Sequence, residues 1–165
     1  MIDVNKSLVY DEGFAKVPNI LFKLYPLLPG FTVATTGFYG YLMSWRQSKP
    51  DHVMHGKTWL NQDEMEAQAG ISRHIIRNHI RTLVKYGLLS VEPSRQVANK
   101  KIYEVLEPLT EAEFRSAYPE AIEDFRQKLE KIEKQRERDR ERRPKKRGQP
   151  EVVAGYDAEG RPVSF

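Results

Sequence analysis

The sequence has 165 residues, of which 39% are hydrophobic and 30% are charged, with a formal net charge of +4 and no cysteine. This length suits one domain, or one small domain with an appendage, and the lack of cysteine excludes disulfide frameworks, thiolate zinc sites and cysteine nucleophiles. No stretch approaches the roughly 18 consecutive apolar residues of a membrane-spanning helix, and the first residues lack an apolar signal run, so we expect a soluble, cytoplasmic protein that binds no membrane.

The positive charge is unevenly distributed along the chain. Residues 1–108 carry 13 Lys and Arg against 10 Asp and Glu, and residues 109–125 carry one against five. Residues 126–147 carry 12 against five, and such a local excess is typical of an interaction tail. This tail is either a nonspecific clamp on a polyanion, which we favour, or a solubilising extension. The residues of this basic tail that we expect to contact the polyanion are Arg142, Arg143, Lys145, Lys146 and Arg147.

The first predicted elements are a flexible segment at residues 1–13, a short helix and a longer helix. The longer helix lies between Thr35 and Gln47, where apolar residues recur in steps of three, one and three. This spacing predicts one buried face. The residues of that face are Phe38, Tyr41, Leu42 and Trp45. Trp45 and Trp59 are expected to anchor the core.

Two capped helices and a hairpin follow. Asn61 and Glu64 have the spacing of a capping box, which predicts the start of a helix that Gly70 ends. Ser72 is positioned to cap the next helix, and Gly87 follows its end, where a left-handed residue is favoured. Two β-type runs, "LLSVE" and "KKIYEVLE", then predict a hairpin. The cations near its tip are Arg95, Lys100 and Lys101.

From Thr35 onward the predicted order is therefore helix, short strand, helix, tight turn, helix, strand, strand, which is the order of a winged helix-turn-helix. The fold class we predict is mainly α with a small β-hairpin: a winged helix-turn-helix domain followed by a charged C-terminal helix. We place the winged domain at residues 14–108, a charged helical extension that includes the basic tail at 109–147, and a C-terminal tail at 148–165.

The segment "AGISRHIIRNHIRTLVKYGLL" predicts an amphipathic helix inside a stretch, residues 67–91, that contains no acid. Projected at 100° per residue, its apolar and polar side chains fall on opposite arcs. Four cations spaced four residues apart repel one another, and we expect a bound polyanion to offset that repulsion. These cations are Arg73, Arg77, Arg81 and Lys85. A solvated helix face is the alternative interpretation.

The polar arc carries side-chain types that are suited to reading DNA, and the basic tail would then be an additional nonspecific DNA clamp. Arginine matches O6 and N7 of guanine, asparagine matches N6 and N7 of adenine, and residues in the first half of such a helix lie deepest in the major groove. The candidate base-reading residues are His74, Arg77, Asn78 and Arg81, of which Arg81 also suits backbone contact. The candidate DNA-backbone residues are Ser72, Arg73, Lys85, Arg95, Lys100 and Lys101. For each hairpin cation, ordinary solvated charge is the alternative.

No other constellation supports a site. The histidines lack a carboxylate set on a common helical face, so we expect no metal, and His79 is predicted to lie at the core edge with one hydrogen bond. No Ser/His/Asp arrangement or paired-carboxylate context supports catalysis, so we expect neither enzymatic activity nor a cofactor.

A seam of apolar residues follows the winged domain at steps of four and three. Two heptads are short for an independent coiled coil. The seam either folds back on the winged domain, pairs with its counterpart in a homodimer, or binds a different protein. Its residues are Tyr118, Ile122, Phe125, Leu129 and Ile132.

"FAKVPNILF" and "KTWLNQDEMEAQAGISRHIIRNHIRTLVKYGLLSVEP", with the basic hairpin, resemble the N-terminal winged-helix domains of replication initiators and replisome organisers. These are the DnaD-like and RepA-like proteins of plasmids and phages of Gram-positive bacteria. The resemblance covers about residues 14–108 and is shared with bacterial transcription factors. It implies double-stranded DNA and replication proteins as partners. A transcriptional regulator is the alternative function, and a protein-interaction adaptor is an alternative of another class.

Overall fold

A computed structural model of the protein describes residues 15–58, 60–95, 97 and 100–142. Several of the predictions fall on other residues and so lie outside the described part of the chain. These are the flexible segment at 1–13, the core role of Trp59, the C-terminal tail at 148–165 and, of the basic tail, Arg143, Lys145, Lys146 and Arg147.

The described chain is mainly helical and has one small antiparallel sheet. Its helices are α1 (Ile20–Lys23), α2 (Val33–Trp45), α3 (Gln62–Ala69), α4 (Arg73–Lys85), α5 (Glu111–Ala117) and α6 (Pro119–Arg142). Its strands are β1 (Lys57–Thr58), β2 (Leu89–Pro93) and β3 (Lys101–Val105), and a 3₁₀ turn at Tyr25–Leu27 follows α1.

The sheet has the strand order β1–β3–β2, and both neighbours run antiparallel to β3. Tyr103 in β3 pairs with Thr58 on one side and with Val91 on the other. β2 and β3 form the predicted hairpin, and β1 adds the third strand. Helices α2 to α4 with this sheet form a winged helix-turn-helix, which confirms the predicted fold class.

Local capping explains why α3 and α4 begin and end where they do. The side chain of Asn61 accepts from the backbone N–H of Glu64 at 2.8 Å, and the Glu64 carboxylate accepts from the N–H of Asn61, also at 2.8 Å. This is the predicted capping box. Ser72 caps α4 through the N–H of Ile75. Gly70 has φ +65°, a left-handed conformation that favours glycine, and it ends α3 so that α4 can start in a new direction.

Helix α2 packs against α1, α4 and β3. Phe38 and Leu42 are buried as their spacing predicts, but Tyr39 and Met43 are buried as well, so the helix is covered on more than one side. The prediction that Trp45 anchors the core is wrong, because its side chain is 38% exposed. Trp45 is the last residue of α2, and a helix end is covered by fewer neighbouring turns.

His79 joins α4 to α2. Its Nδ1 lies 3.2 Å from the hydroxyl oxygen of Thr35, and its ring stacks on Phe38 with centroids 5.4 Å apart. The predicted core-edge histidine with one hydrogen bond is therefore confirmed. Desolvation by burial lowers the pKa of His79 below its ordinary value of 6.5.

The lowered pKa of His79 predicts a pH dependence of stability. Because the unfolded state binds this proton more tightly, the contribution is complete above about pH 6.5 and is lost as the pH falls through the folded pKa. We expect His79→Gln to reduce the difference in the free energy of unfolding between pH 7.5 and pH 5.5, measured by urea denaturation. His74→Gln, on the exposed face of the same helix, is the matched control. An equal pH dependence in wild type and His79→Gln would contradict the assignment.

The chain divides into two compact units, Met1–Glu123 and Asp124–Phe165. The first unit continues past Pro108, where the sequence analysis ends the winged domain, because the phenylalanine of α5, Phe114, is fully buried. The backbone N–H of Leu109 donates to the hydroxyl of Tyr25 at 3.1 Å, and the hydroxyl of Tyr39 donates to the carbonyl of Leu106 at 2.9 Å. Segment 106–117 therefore packs against and hydrogen-bonds to the core of this unit.

The apolar seam differs in exposure along its length. Tyr118 and Ile122 are partly buried and pack against the core of the first unit, as the fold-back interpretation expects. Phe125, Leu129 and Ile132 in the second unit are 40%, 44% and 47% exposed. The homodimer and the foreign partner stay predictions for these three residues.

Candidate nucleic-acid interface

Helix α4 presents the predicted polar arc to solvent. Ile76 and Leu83 on its inner side are fully buried, and Ile80 is partly buried. The outer side chains are all exposed, and they are His74, Arg77, Asn78, Arg81 and Lys85. The amphipathic separation read from the sequence matches the burial of the helix in part, because Ile75 and Val84 on the apolar arc are 42% and 45% exposed.

Arg73, at the start of α4, is engaged by acids of the preceding helix. Its guanidinium forms ion pairs with Asp63 and, at 3.8 Å, with Glu66. The carboxylate of Glu66 also accepts from the backbone N–H of Arg73 at 3.1 Å. The cations of α4 lack an acid nearby in sequence, yet the charge of Arg73 is offset within the chain itself. A phosphate at this helix end would have to displace these carboxylates.

Arg77, one turn further along α4, has an uncharged partner. Its Nε donates to Oε1 of Gln62 at 3.2 Å. Gln62 is the first residue of α3, so this bond links the two helices of the helix-turn-helix at the outer surface. The positive charge of Arg77 is therefore held in position without being neutralised.

His74, Asn78 and Arg81 form a chain of side-chain contacts along the exposed arc. Arginine can only donate, so Oδ1 of Asn78 accepts from Arg81 at 3.5 Å, and Nδ2 of Asn78 faces Nε2 of His74 at 3.1 Å. A bidentate contact from Asn78 to adenine would exchange both bonds for bonds to the base. The donors and acceptors needed for base contact are thus present and mutually oriented.

A concave groove of about 660 Å³ lies between the outer side of α4, the start of α3 and the strands β2 and β3. Its lining includes five cations and one acid, Asp63. The cations are Arg73, Arg77 and Arg81 from the helix and Lys100 and Lys101 from the hairpin. A positively charged concave wall concentrates field and attracts polyanions.

The remaining predicted residues lie outside this groove. His74, Asn78 and Lys85 are on the exposed helix face, where the ammonium of Lys85 lies 5.0 Å from the ring centroid of Tyr86. Arg95 lines a second cleft of about 560 Å³ on the hairpin, which Lys100 also borders. Ser72 is occupied by its cap on α4. In the basic tail, Arg142 is exposed and ends α6.

Two residues of the groove were missed in the sequence analysis. Gln62 and Asp63 follow the capping Asn61, and in the sequence they stand out only as residues of the first turn of the predicted helix. Their roles depend on how α3 sits beside α4, and the only signal available in the sequence is their place in the first turn of the first helix of the pair.

Within the described ranges, no three His, Asp or Glu residues come together in a way that could hold a metal ion. None of the helices in that part of the chain combines the length and the apolar content that a membrane crossing demands.

No protein-family model matches this sequence, and no curated protein matches it either. A solved structure named "Structure of Rep-DNA complex" is similar, with a TM-score of 0.43 and 14% sequence identity. The match covers 75% of this chain and 94% of that chain. A likeness of this strength carries no conclusion about function.

Proposed function

We propose that this chain is a non-enzymatic, double-stranded-DNA-binding protein that uses α4 as its recognition helix. The observation that carries this proposal is the groove in which three arginines of α4 face two lysines of the hairpin. A helix with donor side chains beside a basic hairpin suits a major groove flanked by phosphates. The basic tail adds phosphate contacts in this proposal.

We further propose that the DNA binding serves plasmid or phage replication initiation or its control. This finer step is supported by the resemblance of residues 14–108 to initiator domains. A transcriptional regulator with the same domain would bind at promoters instead of at an origin. Mapping the bound sites on the genome or plasmid separates the two.

The test of DNA binding is a selection of binding sites from a random duplex pool, with purified protein at physiological ionic strength, followed by a salt titration. We expect enrichment of a defined motif and an affinity that falls steeply as salt rises, because phosphate contacts release counterions. Absence of binding at low salt would contradict the proposal.

A protein-interaction adaptor is the second candidate, and the exposed apolar residues Phe125, Leu129 and Ile132 favour it. In that case the purified chain would bind no DNA at low salt. Substitution of these three residues by serine would then abolish partner capture. Substitutions in the basic groove would not affect it.

The acids that hold Arg73 predict a gain-of-binding variant. We expect Asp63→Asn to tighten binding to every DNA sequence and to steepen the salt dependence, because Arg73 loses one of its two acidic partners, keeping only Glu66, and a repulsive charge leaves the groove. The measurement is the slope of log affinity against log salt. Glu120→Gln, an exposed residue at the start of α6, makes the same change in net charge as a control. Equal gains in both variants would contradict a local role for Asp63.

A further inference from the structure

Gln62 has an unusual position among the residues of the groove. It is partly buried, it is the first residue of α3, and it lines the same groove as Arg77. The reciprocal Asn61–Glu64 capping bonds hold the backbone on either side of it. Its side chain therefore starts from a well-ordered helix end and reaches across to a neighbouring helix.

The chemistry of its neighbours orients the amide of Gln62. A guanidinium N–H can only donate, so Oε1 is the atom that faces Nε of Arg77 at 3.2 Å. Nε2 then faces the hydroxyl of Tyr103 at 3.5 Å. Tyr103 is 1% exposed and lies in the central strand β3. Burial raises the pKa of Tyr103, so its hydroxyl stays protonated at neutral pH. The amide thus joins the sheet to the recognition helix.

This contact leaves the two terminal Nη nitrogens of Arg77 available for other hydrogen bonds. The bond to Gln62 uses Nε, whereas the fork that matches O6 and N7 of guanine is formed by the two Nη nitrogens. A free arginine side chain loses rotamer freedom when it binds, and one that is already held loses less. Held at Nε, Arg77 points its fork in a defined direction before any ligand arrives.

We propose that Gln62 is a positioning residue that sets the base specificity of Arg77 by fixing its guanidinium through Nε. The inference rests on the proposed DNA-binding function and deepens it. Gln62 acts through Arg77, so its effect is confined to the base position that Arg77 reads. The salt dependence of binding stays unchanged, because no phosphate contact is lost.

The test is a double-mutant cycle of Gln62→Ala and Arg77→Ala, with affinities measured for the selected duplex and for its single-base variants. We expect Gln62→Ala to reduce the preference at the position read by Arg77 by about two- to tenfold. In the Arg77→Ala background the same change should have no further effect on that preference. Gln62→Glu keeps an acceptor for Nε, so it should retain the preference while weakening binding to all sequences alike.

Gln68→Ala is the matched control, because Gln68 lies on the same helix and bonds the hydroxyl of Tyr41. It is expected to leave base preference unchanged. If wild type binds DNA and Arg77→Ala relaxes one position, but Gln62→Ala acts equally on all sequences or adds fully to Arg77→Ala, the positioning role is overturned while the proposed function stands. If wild type binds no duplex at low salt, the proposed function fails and the inference fails with it.

Discussion

Replacement of Arg77 by alanine is expected to weaken binding to the preferred duplex by about 1–3 kcal/mol and to relax the preference at one base position. The reason is geometric: alanine removes a two-pronged donor whose position α4 and Gln62 define, and the base it contacts loses both hydrogen bonds. The loss corresponds to a roughly 5- to 150-fold change in the dissociation constant. Fluorescence anisotropy with the selected duplex and its single-base variants measures both effects.

Two controls separate base contact from general electrostatics. Lys101→Ala, on the hairpin side of the same groove, should weaken all sequences alike and lower the salt slope by about one. Arg115→Ala removes an arginine that is paired with Glu111 on α5 and does not line the groove, and it is expected to change DNA affinity little. Equal losses on every sequence for Arg77→Ala and Lys101→Ala would contradict the assignment of Arg77 as a base-reading residue.

The order of the elements could be predicted because helix ends are decided by a few neighbouring residues. The Asn61–Glu64 box, the Ser72 cap and Gly87, which has φ +69°, all act within one turn of the chain. The burial of Ile76 and Leu83 on α4 was also predictable, since one side of this helix faces the core, although Ile75 and Val84 of the same apolar arc are exposed. Local chemistry and a single periodicity were sufficient for these features.

Contacts between elements could not be predicted in the same way. The pairing of Arg73 with Asp63 and Glu66, and the bond from Arg77 to Gln62, depend on the angle and distance between α3 and α4. No periodicity within either helix encodes that geometry. The cations of the candidate site can therefore be identified from the sequence, whereas the residues that orient and neutralise them cannot.

Helix α2 shows a second reason why packing could not be fully predicted from the sequence. The spacing of apolar residues predicts a single buried face, and this prediction is correct where a helix is covered on one side only. Helix α2 packs against α1, α4 and β3, so Tyr39 and Met43 are buried although they lie outside the predicted face, while Trp45 at its end is exposed. Coverage from several directions is a property of the assembled fold, and the sequence of one helix does not contain it.

Phe114→Ala is expected to have the largest effect on stability, a loss of about 3–5 kcal/mol in the free energy of unfolding. Phe114 is fully buried, and its ring lies 5.1 Å from that of Tyr25 and 5.0 Å from that of Tyr118, between centroids. Tyr25 also contacts the ring of Phe31, and Tyr118 contacts that of Tyr86. Phe31 and Tyr86 contact each other, so the rings form one connected aromatic cluster. Alanine would leave a cavity in that cluster. Urea denaturation followed by tryptophan fluorescence measures the loss.

Phe125→Ala supplies the matched control, because it is the same substitution at a position that is 40% exposed in the second compact unit. It should cost much less, since less apolar surface is removed from a packed environment. A comparable cost for the two variants, with equal denaturant slopes, would contradict the assignment of α5 to the core and would support a domain that ends at Pro108. The expected difference instead makes segment 109–123 part of the folding unit, so a chain cut after Pro108 would leave Tyr25 without the ring of Phe114 and without the N–H of Leu109 that donates to its hydroxyl.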